Sequence, residues 1–205
     1  MLDIQLRPLK DQIFDPLCSA VPHFIQPLHL TLLAFGFGII CCVSAANGQV
    51  ALSLFSWVLN RTFDCLDGAV ARRRNIASDL GGFLDLFFDF IVYCLIPISC
   101  ATYFQSSPHT WISIAVLEST FHINNFVLFY IAAILEKRKT AGRNHVKELT
   151  SVAMRPALVE GFESALLFTL MLAYPELTEH ISWTMASLVA VGTLQRVYWL
   201  CQVLN

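Results

Sequence analysis

Six stretches of the chain, at about 28–46, 50–71, 80–104, 111–135, 157–174 and 181–203, carry few or no charged side chains. Each approaches the ~20 residues that a helix needs to cross the hydrocarbon of a bilayer. No water reaches backbone N–H and C=O groups there, so such stretches fold as helices that satisfy those groups internally. The sequence therefore predicts an all-α, polytopic membrane protein with six transmembrane helices, one unit over residues 1–205 with its bundle at 28–203. Charged residues make up 14% of the chain, well under the roughly 25% of soluble domains, and 56% is hydrophobic.

The N-terminal segment 1–22 reads differently. Leu2, Leu6, Leu9, Ile13 and Leu17 recur at helical spacing, with Arg7, Lys10 and Asp11 opposite, which predicts an interfacial amphipathic helix or one packed against the bundle. Asp3, Asp11 and Asp15 fit neither a cleavable signal peptide nor an acid-poor transit peptide, so this segment is expected to be retained. Lysine and arginine gather before helix 1 (Arg7, Lys10), after helix 2 (Arg72, Arg73, Arg74) and after helix 4 (Lys137, Arg138, Lys139, Arg143, Lys147). By the positive-inside rule, both termini and these connections face the cytoplasm. The seven cysteines lack zinc-site spacing and are expected to be buried apolar residues. Membrane lipid, and no nucleic acid, is the expected large-scale partner.

Against this apolar background the segment DCLDGAVARRRNIASDLGGFLDLFFD places Asp64, Asp67, Asp85 and Asp89 inside helices. Insertion scales assign ~2.5–3.5 kcal/mol to each such charge, on the order of 10 kcal/mol together if uncompensated. At ~100° per residue, Asp64, Asp67, Gly68 and Ala71 share about a third of one helix circumference, with Arg72 at its edge. Gly81, Asp85 and Asp89 follow at intervals of four along one stripe of the next helix. The short connection, with Ser78 as N-cap, predicts antiparallel neighbours, so the stripes can face each other. Four converging carboxylates repel unless cations join them, and their hard oxygens suit Mg²⁺, Mn²⁺ or Ca²⁺. Gly68, Ala71 and Gly81 leave space between the helices, and a phosphate would fit between the metal and Arg72. Gly81 and Gly82 alone would read as close helix packing and the arginines alone as a topology signal; intramembrane aspartates have no comparably plain reading.

The pattern D-x2-D-G-x2-A-R-x8-G-x3-D-x3-D, running from Asp64 to Asp89, resembles the signature of the CDP-alcohol phosphotransferase family at every fixed position. Pro27 to Thr31 is similar to that family's P-N-x2-T turn, with Leu28 in place of the asparagine. The resemblance implies divalent-metal-dependent transfer of a substituted phosphoryl group from a CDP-linked lipid donor to a small alcohol, releasing CMP. It also implies two Mg²⁺ or Mn²⁺ ions and a homodimer. Asp64, Asp67 and Asp85 would bind metal, and Asp89 would bind metal and deprotonate the acceptor hydroxyl. The donor would be lined by Asp64, Gly68, Ala71, Arg72 and Gly81, with Thr31 and Arg61 as further candidates.

Outside the signature, Arg61 is expected either to pair with an active-site aspartate or to line the donor cavity. Arg155 is a candidate acceptor-binding residue, with an ordinary interfacial arginine as the alternative. Asn124, Asn125 and His122 read as interhelical hydrogen-bonding groups. The basic run 136–147 reads as a contact for anionic headgroups. The expected activity is phosphatidyl transfer from CDP-diacylglycerol to a small polar alcohol or alcohol phosphate, in an endoplasmic reticulum or bacterial inner membrane. CDP-choline or CDP-ethanolamine with a diacylglycerol acceptor is the alternative within this chemistry. A cation or metabolite transporter is the alternative outside it, although neither inverted repeats nor broken helices are evident.

Overall fold

The computed structural model describes residues 16–103, 107–140 and 161–204. Residues 16–20 are helical, and six longer helices follow: α1 (Pro27–Ala46), α2 (Val50–Arg73), α3 (Asp79–Tyr103), α4 (Pro108–Thr140), α5 (Gly161–Ala173) and α6 (Thr178–Leu204). A 3₁₀ turn, Pro175–Leu177, leads into α6. The helical membrane fold expected from the sequence is the fold observed, and the described residues contain no strand. Residues 1–15 of the expected amphipathic helix, Arg155 and most of the basic run after α4 lie outside the described residues.

Three helices, Pro27–Ala46, Asp79–Tyr103 and the Pro108–Ile134 part of α4, are long and apolar enough to cross a membrane. α2 carries Arg61, Asp64 and Asp67 within its own length. α4 runs past the apolar stretch 111–135 because Glu136, Lys137, Arg138 and Lys139, all good helix formers, continue it. The outer surface is apolar: Phe55, Val58, Phe83, Phe126, Leu194 and Tyr198 are each more than half exposed. A soluble monomer rarely shows so much contiguous apolar surface. Cys94 and Cys201 belong to this outer face, contrary to the expectation that the cysteines are buried. Lipid is as apolar as a core, so a small hydrophobe sits equally well on either side.

Local chemistry explains the helix ends. Pro27 opens α1 at a position where its missing N–H is no loss. The turn from α1 to α2 uses Asn47, whose Nδ2 donates to the Val43 carbonyl at 2.7 Å, followed by Gly48 at φ 72°, a conformation that disfavours a Cβ. α2 stops at Asn75, which adopts a left-handed φ of 54°. Ser78 caps α3 as expected, its Oγ accepting the Gly81 N–H at 3.1 Å.

α1 packs against both α2 and α3, while α4 pairs mainly with α6. The core lies between these groups. Trp57 of α2 meets Phe168 of α5 and Tyr93 of α3 edge-on, with centroids 6.3 and 6.2 Å away, and donates from Nε1 to Thr169 Oγ1 at 2.8 Å. Phe121 of α4 stacks on Phe168 from the other side. Cys41, Cys42, Val92, Ile96, Cys100, Leu117, Met171 and Met185 complete the interior. Between α4 and α6, Asn124 acts as interhelical glue, its Oδ1 accepting from Arg196 Nη1 at 2.6 Å and Thr193 Oγ1 at 3.2 Å. This is the role its sequence position suggested.

α1 approaches α3 closely at Gly38, where a Cβ would meet Val92 Cγ2 at 2.5 Å and Asn60 Nδ2 at 3.1 Å. Val92 is buried, so it has nowhere easy to move. Gly38→Ala is therefore expected to destabilise the bundle by about 1–3 kcal/mol, the usual penalty of overpacking. Val92→Ala in the same chain should recover part of the loss. Thermal unfolding of the purified variants in detergent provides the check.

Candidate active site

The signature residues occupy the facing ends of α2 and α3, where a cavity of about 1210 Å³ opens. Asp67, Gly68, Ala71 and Arg72 enter it from α2, Gly81 and Asp85 from α3, and Thr31 from α1. Residues 18–23 and Gln26 close one side, and Arg73, Arg74 and Ser78 also line it. Of the proposed donor-binding residues, Thr31, Gly68, Ala71, Arg72 and Gly81 thus share one cavity, and Asp64 and Arg61 lie outside its lining.

The four aspartates divide into two pairs. Asp67 and Asp85 face the cavity. Asp67 Oδ2 accepts from Thr31 Oγ1 at 2.5 Å, fixing the end of α1 against α2, and that hydroxyl lies 3.1 Å from the Pro27 carbonyl. Asp64 and Asp89 lie deeper, one turn along each helix, with Arg61 between them. Arg61 Nη2 is bonded to Asp89 Oδ1, Nη1 lies 3.2 Å from Asp89 Oδ2, and Nη1 also lies 3.5 Å from Asp64 Oδ2. Asp64 in turn sits beside Asp85, joining the pairs.

Arg61 is itself held on all sides. Its Nε donates to Asn60 Oδ1 at 2.7 Å and its Nη1 to Tyr93 Oη at 2.7 Å. Its guanidinium carbon lies 4.8 Å from the Trp57 ring centroid and 5.2 Å from that of Tyr93, within cation–π range. Asn60 is anchored by its Nδ2 to the Ala34 carbonyl at 2.8 Å. Of the two roles expected for Arg61, the structure displays the ion pair with active-site aspartates. Asn60, Tyr93 and Trp57 were not anticipated as parts of this centre, although their spacing could have shown it. Asn60 and Trp57 precede Asp64 by four and seven residues, and Tyr93 follows Asp89 by four, so all three continue the aspartate faces.

The small residues have specific neighbours. A Cβ on Gly68 would stand 3.1 Å from Arg72 Nη1, so Gly68 gives the guanidinium room to fold back along its helix. A Cβ on Gly81 would stand 3.2 Å from the capping Ser78 Oγ.

Chemically, the cavity lining combines Arg72 and Arg73 with Asp67 and Asp85, and outside it Asp64 and Asp89 share one arginine, Arg61. Phosphate oxygens suit the first group, since guanidinium binds them through paired N–H bonds. All-carboxylate donors suit a hard divalent cation. In the conformation described, no three His, Cys, Asp or Glu side chains among the described residues are gathered as a metal site. Thr31 and Arg61 each hold one of the aspartates concerned.

Removing Arg61 should leave Asp89 facing a partly buried void in its charge balance. Arg61→Gln is expected to destabilise the protein by about 1–3 kcal/mol, and Asp89→Asn in the same chain should return much of that stability. Detergent-solubilised thermal unfolding of the single and double variants measures this coupling.

Comparison with known proteins identifies the family. The CDP-alcohol phosphatidyltransferase profile matches residues 24–190, which include all four aspartates and Thr31. The inner membrane protein YnjF of Escherichia coli is 32% identical over 202 residues, covering 97% of this chain and 94% of that protein. The archaetidylinositol phosphate synthase of Methanothermobacter thermautotrophicus is 35% identical over 83 residues, covering 40% of each chain. With an aspartate-and-arginine cavity built from the matched helices, this chain belongs to the CDP-alcohol phosphatidyltransferase family, membrane enzymes that transfer phosphate-containing groups.

Proposed function

We propose that the protein transfers a phosphatidyl group from CDP-diacylglycerol to a small polar alcohol or alcohol phosphate and releases CMP. The observation that carries this reading is the cavity itself, whose lining brings Asp67 and Asp85 together with Arg72 and Arg73. Leu28, Ile76 and Leu80 line the same cavity and are exposed, which supports a donor whose apolar part continues into lipid. The relative named for archaetidylinositol phosphate synthesis supports a phospholipid product.

In this reading Arg72 holds diphosphate oxygens over Gly68, and Ala71 and Gly81 leave the nucleotide space against the helix backbones. Asp64, Asp67, Asp85 and Asp89 would hold two Mg²⁺ or Mn²⁺ ions, which when bound withdraw charge from the diphosphate and stabilise departing CMP. The acceptor hydroxyl oxygen attacks the phosphatidyl phosphorus in line with the leaving oxygen, a P–O bond forms, and the P–O bond to CMP breaks. Asp89 takes the hydroxyl proton. A carboxylate has about four lone-pair sites, so Asp89 keeps acceptor capacity beyond its two Arg61 contacts. The basic residues before α1, after α2 and after α4 support a multi-pass arrangement with the cavity toward the cytoplasm. The Escherichia coli relative, an inner membrane protein by name, supports a bacterial inner membrane.

Purified protein with Mg²⁺ or Mn²⁺, CDP-diacylglycerol and a panel of alcohols should release CMP; folded protein inert with every CDP-linked donor and acceptor would sink the proposal. Asp89→Asn should lower turnover by about 10²–10⁴-fold while CDP-diacylglycerol binding stays within a few-fold of wild type. Asp67→Asn should instead weaken metal-dependent donor binding, as measured by titration at varied Mn²⁺.

A further inference from the structure

One wall of the cavity is not a bundle helix. It is the irregular segment between the helical residues 16–20 and α1, in which Val21 N–H reaches the Cys18 carbonyl at 3.4 Å and Ile25 N–H reaches that of Pro22 at 3.0 Å. Two short turns of this kind bury little and do not by themselves fix a segment to a bundle. What fixes it comes from α2. Val21, Ile25 and Cys18 pack on Leu66, Val70, Phe63 and Ala69. Above that patch, the Arg74 side chain crosses from the end of α2 and donates from Nη1 to the Ile25 carbonyl at 2.7 Å. Its Nη2 donates to the carbonyls of Val21 at 2.8 Å and Pro22 at 3.2 Å. Three carbonyls within one turn are therefore held by one planar, permanently charged group, an arrangement a lysine cannot reproduce.

Arg74 adjoins Arg72, yet their contacts differ: Arg72 lies over Gly68 in the cavity, and Arg74 binds the wall. Sequence position suggested a donor contact for Arg72 and only a topology role for Arg73 and Arg74. We propose that Arg74 is a positioning residue that latches residues 18–26 as the wall of the donor cavity, so that donor affinity depends on a side chain whose bonds go to backbone rather than to the donor. The donor assignment rests on the function proposed above; the latch does not.

The test uses the full chain in lipid nanodiscs, comparing wild type with Arg74→Ala and Arg74→Lys. Hydrogen exchange read by mass spectrometry should speed up at least tenfold in peptides covering 18–26 in Arg74→Ala and stay unchanged in α4 and α6. With CDP-diacylglycerol, KM should rise about tenfold while kcat stays within about twofold, and Arg74→Lys should fall between the two. Unchanged exchange at 18–26 in a folded Arg74→Ala protein overturns the latch whatever the kinetics. Faster exchange with an unchanged KM overturns the link to donor binding. An inert wild-type enzyme refutes the function proposed above, and the exchange data still decide the latch. Should Arg74→Ala fail to fold, Arg74→Lys carries both measurements, and wild-type values in it overturn the proposal.

Discussion

Charge compensation inside an apolar bundle is the constraint from which the arrangement of α1, α2, α3 and α5 follows. Asp64 and Asp89 can occupy the interior because Arg61 stands between them, and Arg61 can stand there because Tyr93, Asn60 and two aromatic faces receive it. Each of those receivers is tied elsewhere. Asn60 holds the Ala34 carbonyl of α1, and Trp57 holds Thr169 of α5. Breaking a buried ion pair leaves an uncompensated charge, the expensive outcome in low dielectric, so this centre rigidifies its surroundings while its partners stay in place.

The same constraint sorts the four aspartates. Asp67 and Asp85 line the cavity, where buried Asp67 is steadied by a neutral hydroxyl; Asp64 and Asp89 are steadied by a cation. Arg72 lines the cavity too, and Asp64 and Asp89 lie outside its lining. Gly68 belongs to this order through Arg72, whose guanidinium needs the space that a Cβ would take.

The six helices, the Ser78 cap and the facing aspartate stripes could be read from apolar run length and from spacing, because both are properties of a single helix. The grouping of the four aspartates into two pairs could not, since it depends on which neighbour each helix face meets. Thr31 against Asp67 is a contact between residues 36 apart, and nothing local announces it. Tyr93 and Asn60 were within reach, being one turn beyond the aspartates at each end, but an aromatic and an amide on an apolar helix attract less notice than a charge. Arg74 was hidden differently. The signature singles out Arg72, but the positive-inside rule explains Arg73 and Arg74 alike, and only the tertiary structure shows that Arg74 binds backbone. Cys94 and Cys201 were misjudged because hydrophobicity alone does not say whether a residue faces lipid or protein.

A guanidinium that recognises carbonyl oxygens sets no condition on the side chains carried by the segment it holds. Ala20 and His23 can therefore be exchanged for other residues while the backbone bonds at Val21, Pro22 and Ile25 persist. The wall is in this sense a replaceable panel on a fixed hinge post. Evolution can rewrite the surface that a substrate meets there, one side chain at a time, without redesigning the helices behind it.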